Sequence, residues 1–198
     1  AEQVFDHHLA ADDGAGVRIH DHRKELKGSL VTVRNFYGNL RVRPGGEGAD
    51  AFRTLMHGRI IHGRQFTAPR RQDEATTYYS PGSGAGRAIA AARDRGPLHL
   101  GVVGLGVGTL ASYGRTGDEL RFYDIDPLVV EVATTSFTFL ARTRARWEVV
   151  LGDARLSMER EPPRGFDVLL VDAFSGDAIP IHLLTREAFA IYLRHLKP

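Results

Sequence analysis

Two stretches decide the fold: Leu98-His-Leu-Gly-Val-Val-Gly-Leu-Gly-Val-Gly-Thr109 and Leu120-Arg-Phe-Tyr-Asp-Ile-Asp-Pro127. The first reads as a buried apolar strand running into a glycine-rich turn. The second reads as another strand, this one ending in carboxylates. Gly104 and Asp124 lie 20 residues apart. That is the layout of a nucleoside-binding half of a doubly wound α/β sheet. Gly104, Gly106 and Gly108 let the backbone approach a ligand closely, and Asp124 can grip ribose hydroxyls. The glycines follow G-x-G-x-G rather than G-x-G-x-x-G, which suits a nucleoside without a pyrophosphate. Asp126, two residues past Asp124, shares its face by strand alternation. One of the two can hold the ribose while the other caps the helix that starts at Pro127.

Around this centre the pattern alternates strand and helix. An Ala-rich helix is expected over Arg87–Arg95, stopped by Gly96-Pro97. Strands are expected over 98–103, 120–123, 147–151 and 166–171. Helices are expected over 109–113, from 127 to about 140, and from 185 to 196 with Thr185 as N-cap. Strands separated by helical segments mean a parallel sheet. Residues 29–67 read differently. A hairpin through Tyr37-Gly-Asn and two short strands split by Gly58 form a small antiparallel β unit. The expected organisation is a weakly structured lead-in over 1–28, a β domain over 29–80 and a Rossmann-like, class I methyltransferase-type domain over 81–198. A fifth parallel strand belongs just past Leu196-Lys-Pro198, so the C-terminal strands are expected to be missing and the chain to be part of a longer protein.

Carboxylates recur at the strand ends, where such folds bind ligands. Gly152-Asp153-Ala154 closes the third parallel strand, and Asp153 can accept a hydrogen bond from an adenine amino group. Asp172 follows the apolar run Val168-Leu-Leu-Val171, and Asp177 comes five residues later. Two carboxylates in one pocket suit a cationic ligand. Tyr78-Tyr79 lies on a glycine-hinged loop, as a lid or as an anchor between the two units. His57 and His62, five apart, fall on opposite faces of a regular strand, which argues against a shared metal. No metal site is expected.

Composition excludes several classes. Among 198 residues there is no Cys, so disulfides, thiolate metal sites and cysteine nucleophiles are ruled out. A net charge of +2 implies no strong nucleic-acid field, and all but three of the 26 basic residues are Arg. No run approaches the about 18 apolar residues of a membrane span, so no membrane contact and a cytoplasmic location are expected, if only as the soluble part of a membrane-linked protein.

With these residues in place, the chain resembles the spermidine synthase (polyamine aminopropyltransferase) family from about Asn35 to Pro198. The resemblance rests on Asn35-Phe-Tyr-Gly-Asn-Leu-Arg-Val42, His57-Gly-Arg-Ile-Ile-His-Gly-Arg-Gln65, Thr76-Thr-Tyr-Tyr79, Gly152-Asp-Ala-Arg155 and Phe166-Asp-Val-Leu-Leu-Val-Asp-Ala-Phe-Ser-Gly-Asp-Ala-Ile-Pro180. It implies a β domain on a methyltransferase-type domain, with no tightly bound cofactor. Decarboxylated S-adenosylmethionine, or S-adenosylmethionine, would be the co-substrate, and a polyamine such as putrescine the acceptor; a homodimer is left open. Carried over by motif, the glycine turn and Asp124 hold the donor, Asp153 and Ala154 its adenine, and Asp172 takes the amine proton. Tyr79, Asp177 and His62 are the candidates for the amine. The family's glycine turn usually carries an Asp where this chain has Val107. Its β-unit glutamine has only His62 or Gln65 nearby. Two other readings stay open, an S-adenosylmethionine-dependent methyltransferase and a non-catalytic polyamine or nucleoside sensor linked to a transporter. Val102, at a position often acidic in methyltransferases, weighs against the first.

Overall fold

The computed structural model describes residues 28–174 and 179–198. Asp177 and all of the lead-in but Gly28 lie outside the described residues. Four antiparallel strands come first: β1 (Val31–Asn35), β2 (Gly38–Gly45), β3 (Phe52–His57) and β4 (Ile60–Phe66), in that spatial order. The β1–β2 hairpin turns at Phe36-Tyr37, with Val31 opposite Val42. After a connecting segment comes α1 (Gly84–Ala92), three residues earlier than the pattern predicts. Ser83 starts it by accepting the Gly86 amide.

The second sheet is parallel, in the order β7 (Arg146–Leu151), β6 (Glu119–Asp124), β5 (His99–Val103), β8 (Val168–Val171). Chain direction reverses its winding at β5, so the loop after β5 sits at the switch point where doubly wound sheets open a crevice. The last residues rejoin this sheet beside β8 through a parallel bridge between Phe166 and Leu196. Alternation along the strands sends side chains to two layers. Leu100, Val102, Leu120 and Phe122 pack with Leu110, Phe139 and the antiparallel unit's Leu40, Val42 and Leu55. Val103 and Tyr123 pack on the opposite face with Met158, Phe166 and Tyr192. A sheet covered on both faces explains why its strands read as continuous apolar runs.

Four helices follow strands of this sheet: α2 (Pro127–Ser136), α3 (Phe139–Arg142), α4 (Ala154–Arg160) and α5 (Arg186–His195). These depart from the sequence reading at two places. The helix expected to run from Pro127 to Leu140 breaks at Phe137, whose backbone is extended. The amide of Thr138 is taken by the side chain of Gln65 at 2.9 Å instead of a helix carbonyl, so a contact with the β unit overrides local propensity. Helix α4 was not foreseen. Asp153 caps it through the Leu156 amide at 2.9 Å. The short helix expected over Thr109–Tyr113 is present with those bounds, as a 3-10 helix. Among the described residues no helix is long and apolar enough to cross a membrane.

Candidate active site

A cavity of about 410 Å³ opens over the carboxyl ends of the parallel strands, roofed by the antiparallel unit. Asp124 ends β6, Asp153 follows β7 and Asp172 follows β8, so all three enter the same space. Gly104, Gly106, Ala154, Tyr79 and His62 also line it. Gly108 does not; it packs under Leu140 and opens the 3-10 helix.

The glycine turn is shaped by two close approaches. Gly104 has φ +96°, and a Cβ there would collide with the carbonyl of Asp172. A Cβ on Gly106 would sit 2.7 Å from the His62 carbonyl oxygen of β4. One glycine therefore lets β8 come near, and the other lets the roof come near. Val107 is buried and faces Gly63, so the position where the resemblance implies an Asp is an apolar plug outside the cavity.

Asp124 holds the turn as well as facing the cavity. Its carboxylate accepts the Leu105 amide at 2.8 Å and the Asp126 amide at 2.9 Å. Burial raises its pKa above the usual carboxylate value, against the pull of those amides. Asp126 is the helix cap, accepting the Leu128 amide at 2.9 Å, and it also accepts from the Asn35 side chain at 2.5 Å. The second contact ties the β1–β2 hairpin to the cavity rim.

Asp172 accepts a hydrogen bond from the Tyr79 hydroxyl. Burial pushes its carboxyl pKa up, while Tyr79 and Tyr78 restrain the rise. Tyr79 is buried and its carbonyl accepts from Tyr113 at 2.5 Å. It is an anchor between the two sheets and not the tip of a mobile lid. Tyr78, its ring 4.5 Å from that of Tyr79 and tilted by 51°, is half exposed, and burial beside Asp172 raises its phenol to about 12.

His62 and His57 do not diverge as expected for one regular strand. They sit on adjacent antiparallel strands with a β-bulge between Leu55 and Met56, and their rings are 5.5 Å apart. Burial and the neighbouring His57 lower the His62 pKa to about 4, so it is neutral at pH 7. Its buried Nε2 has no hydrogen-bond partner among the described residues. Gln65, the other candidate, points away. It is buried and spent on Thr138 and the Gln72 carbonyl, at 2.8 and 2.9 Å.

His182 is the residue sequence reasoning missed. Its Nε2 lies 2.7 Å from the Asp153 carboxylate, 29 positions away. No local signal announces a partner at that separation. Asp124, Asp126, Asp153 and Asp172 line the cavity, and no Arg or Lys does among the described residues. The space therefore suits a ligand that carries positive charge and hydrogen-bond donors.

No family model matches the chain. Over 98 residues it is 36% identical to a polyamine aminopropyltransferase of Vibrio vulnificus, covering 46% of this chain and 31% of that relative. A probable spermidine synthase from Corynebacterium glutamicum superposes with a TM-score of 0.68 at 21% identity, over 85% of this chain and 60% of the other. A spermidine synthase in complex with the transition state analogue AdoDATO gives a TM-score of 0.61 at 17% identity, over 86% and 55%. The chain thus spans under two thirds of each of these proteins. The structural likeness gives the fold, a Rossmann-like parallel sheet joined to an antiparallel one. The chain is similar to a polyamine aminopropyltransferase in sequence over the stretch matched, and to spermidine synthases in fold over most of its length.

Proposed function

We propose that the protein is a transferase that moves an aminopropyl group from decarboxylated S-adenosylmethionine to a polyamine such as putrescine. The carrying observation is the charge of the cavity, four carboxylates unopposed by any Arg or Lys among its described lining residues. Such a space attracts a sulfonium donor bearing a free amine and a second, cationic amine. It gives no cationic partner to the carboxylate of intact S-adenosylmethionine, which disfavours the methyltransferase reading.

The chemistry divides among the strand ends. Asp124, at the end of β6, receives ribose hydroxyls, and Asp153, after β7, receives the adenine amino group. The acceptor amine has a pKa near that of lysine, about 10.4, so freeing its lone pair near pH 7 costs roughly 4–5 kcal/mol. Asp172 accepts that proton as the nitrogen attacks the carbon beside the sulfonium. The C–N bond forms, the C–S bond breaks, and its electron pair passes to sulfur, releasing methylthioadenosine. Burial makes Asp172 a stronger base than an exposed carboxylate, and the Tyr79 hydroxyl fixes its orientation. Alignment supplies much of the remaining acceleration. Neutral His62, with its free Nε2, can accept a hydrogen bond from an amine N–H.

The test is methylthioadenosine release when the protein is given decarboxylated S-adenosylmethionine with putrescine, cadaverine or spermidine. Turnover with at least one amine is expected. Tight methylthioadenosine binding without turnover on any of them would favour the sensor reading instead.

A further inference from the structure

The β1–β2 hairpin turns on two aromatic residues, Phe36 and Tyr37, with Asn35 paired to Gly38 across the turn. Two-residue hairpin turns favour Gly, Asn and Asp, whose backbones tolerate the bend. Here the turn carries aromatic side chains that bury little. Phe36 is 95% exposed and Tyr37 40%, and their rings meet edge to face at 5.4 Å. Both line the cavity, as do Asp124, Ile125, Asp126 and Val129. Ile125 is itself half exposed. Large apolar side chains left open around one cavity mark a surface that a ligand covers.

Asn35 holds the tip in place. Its Oδ1 accepts the Tyr37 amide at 2.9 Å, which folds the turn. Its Nδ2 donates to Asp126 at 2.5 Å, and the Asp126 amide donates to Asp124 at 2.9 Å. A hydrogen-bonded line thus joins the tip to the carboxylate that ends β6. Asp172, by contrast, follows β8, two strands from β6 and about 10 Å across the sheet.

We infer that the Phe36-Tyr37 tip is the outer wall over the bound nucleoside, and that Asn35 is the residue that positions it. The inference rests on the proposed donor, whose ribose would meet Asp124. A nucleoside anchored there lies against the tip, and the rings cover its C–H surface and shield the hydrogen bonds beneath from water. The amine at Asp172 lies beyond it, so the tip serves the donor and not the acceptor.

Calorimetry and stopped-flow kinetics with methylthioadenosine test this. Phe36→Ala should raise the Kd by about tenfold, chiefly through faster release. Its melting temperature should match the wild type, because the ring is exposed in the free protein. Phe36→Tyr keeps the ring and should bind as the wild type does. Asn35→Asp keeps an acceptor for the Tyr37 amide but sets a second carboxylate against Asp126, so it should also weaken binding, by about fivefold. If Asn35 acts through the tip, the double variant should bind little worse than Phe36→Ala alone. A merely structural Asn35 would make the two losses multiply, and that result overturns its positioning role. An unchanged methylthioadenosine Kd in Phe36→Ala, with or without a raised KM for putrescine, overturns the assignment of the tip to the nucleoside. A wild type that does not bind methylthioadenosine overturns the nucleoside reading itself, before the tip is at issue.

Discussion

Asp172 shows how burial and chemistry pull against each other at a single residue. Its pKa is raised mainly by desolvation. The charged form is therefore costlier in the folded protein than in the unfolded chain. The sign follows: this cost is absent below the unfolded pKa and fully present above the folded one, so stability falls as pH rises through that interval. Asp172→Asn removes the charge but keeps an acceptor for the Tyr79 hydroxyl. We expect the variant to melt at a higher temperature than wild type at pH 7, with the gain vanishing below the ordinary carboxylate pKa of about 3.9. Its turnover should fall roughly 10²–10⁴-fold, the usual weight of general-base catalysis, with methylthioadenosine affinity little changed. Loss of stability at pH 7, or retained turnover, would remove Asp172 from its role.

At the scale of elements, the glycine turn and β4 interlock. Gly63 has φ +146°, and a Cβ there would lie 2.5 Å from Cγ2 of buried Val107. Gly63→Ala should therefore destabilise the protein by about 2–4 kcal/mol, combining backbone strain with overpacking. Adding Val107→Ala should recover part of that loss, because it removes the clash but not the strain. Urea unfolding of the two variants measures both terms. This joint also marks the limit of what the chain shows on reading. The parallel strands were legible because doubly buried strands are apolar throughout, and Asp124, Asp153 and Asp172 were legible because they end those strands. The break of α2 was not, since it depends on Gln65 capturing the Thr138 amide across 73 positions. Helix α4 was obscured because its cap, Asp153, reads equally well as a ligand-binding carboxylate. The meeting of His57 with His62 is not legible from a spacing of five counted along one regular strand, since the two lie on separate strands that Gly58 divides and that pair across a β-bulge.

At the scale of the whole molecule, two sheets of opposite character build one charged chamber. The parallel sheet supplies carboxylates from its strand ends, and the antiparallel unit supplies His62, His57 and the Phe36-Tyr37 tip, none of which is an Arg or Lys. The chain is rich in Arg, yet those side chains are used elsewhere. Arg121 pairs with Glu148 and Glu161, Arg93 with Asp118, and Arg142 with Asp73 across the two units. The net charge of +2 thus conceals a cavity of the opposite sign. Ligands should sense the cavity and not the net charge. A neutral nucleoside is held by hydrogen bonds and apolar contact, which salt scarcely alters. A diamine is also drawn by a field that falls off over about 8 Å at physiological ionic strength and about 3 Å at 1 M. Raising sodium chloride from low to high concentration should therefore increase the KM for putrescine several-fold, while the methylthioadenosine Kd shifts by about twofold at most. Steady-state kinetics and calorimetry on the same preparation give the two numbers. A diamine KM that is flat with salt would mean that the carboxylates do not recruit the acceptor by charge. Parallel weakening of both ligands would mean that salt disturbs the joint between the sheets and not the field inside it.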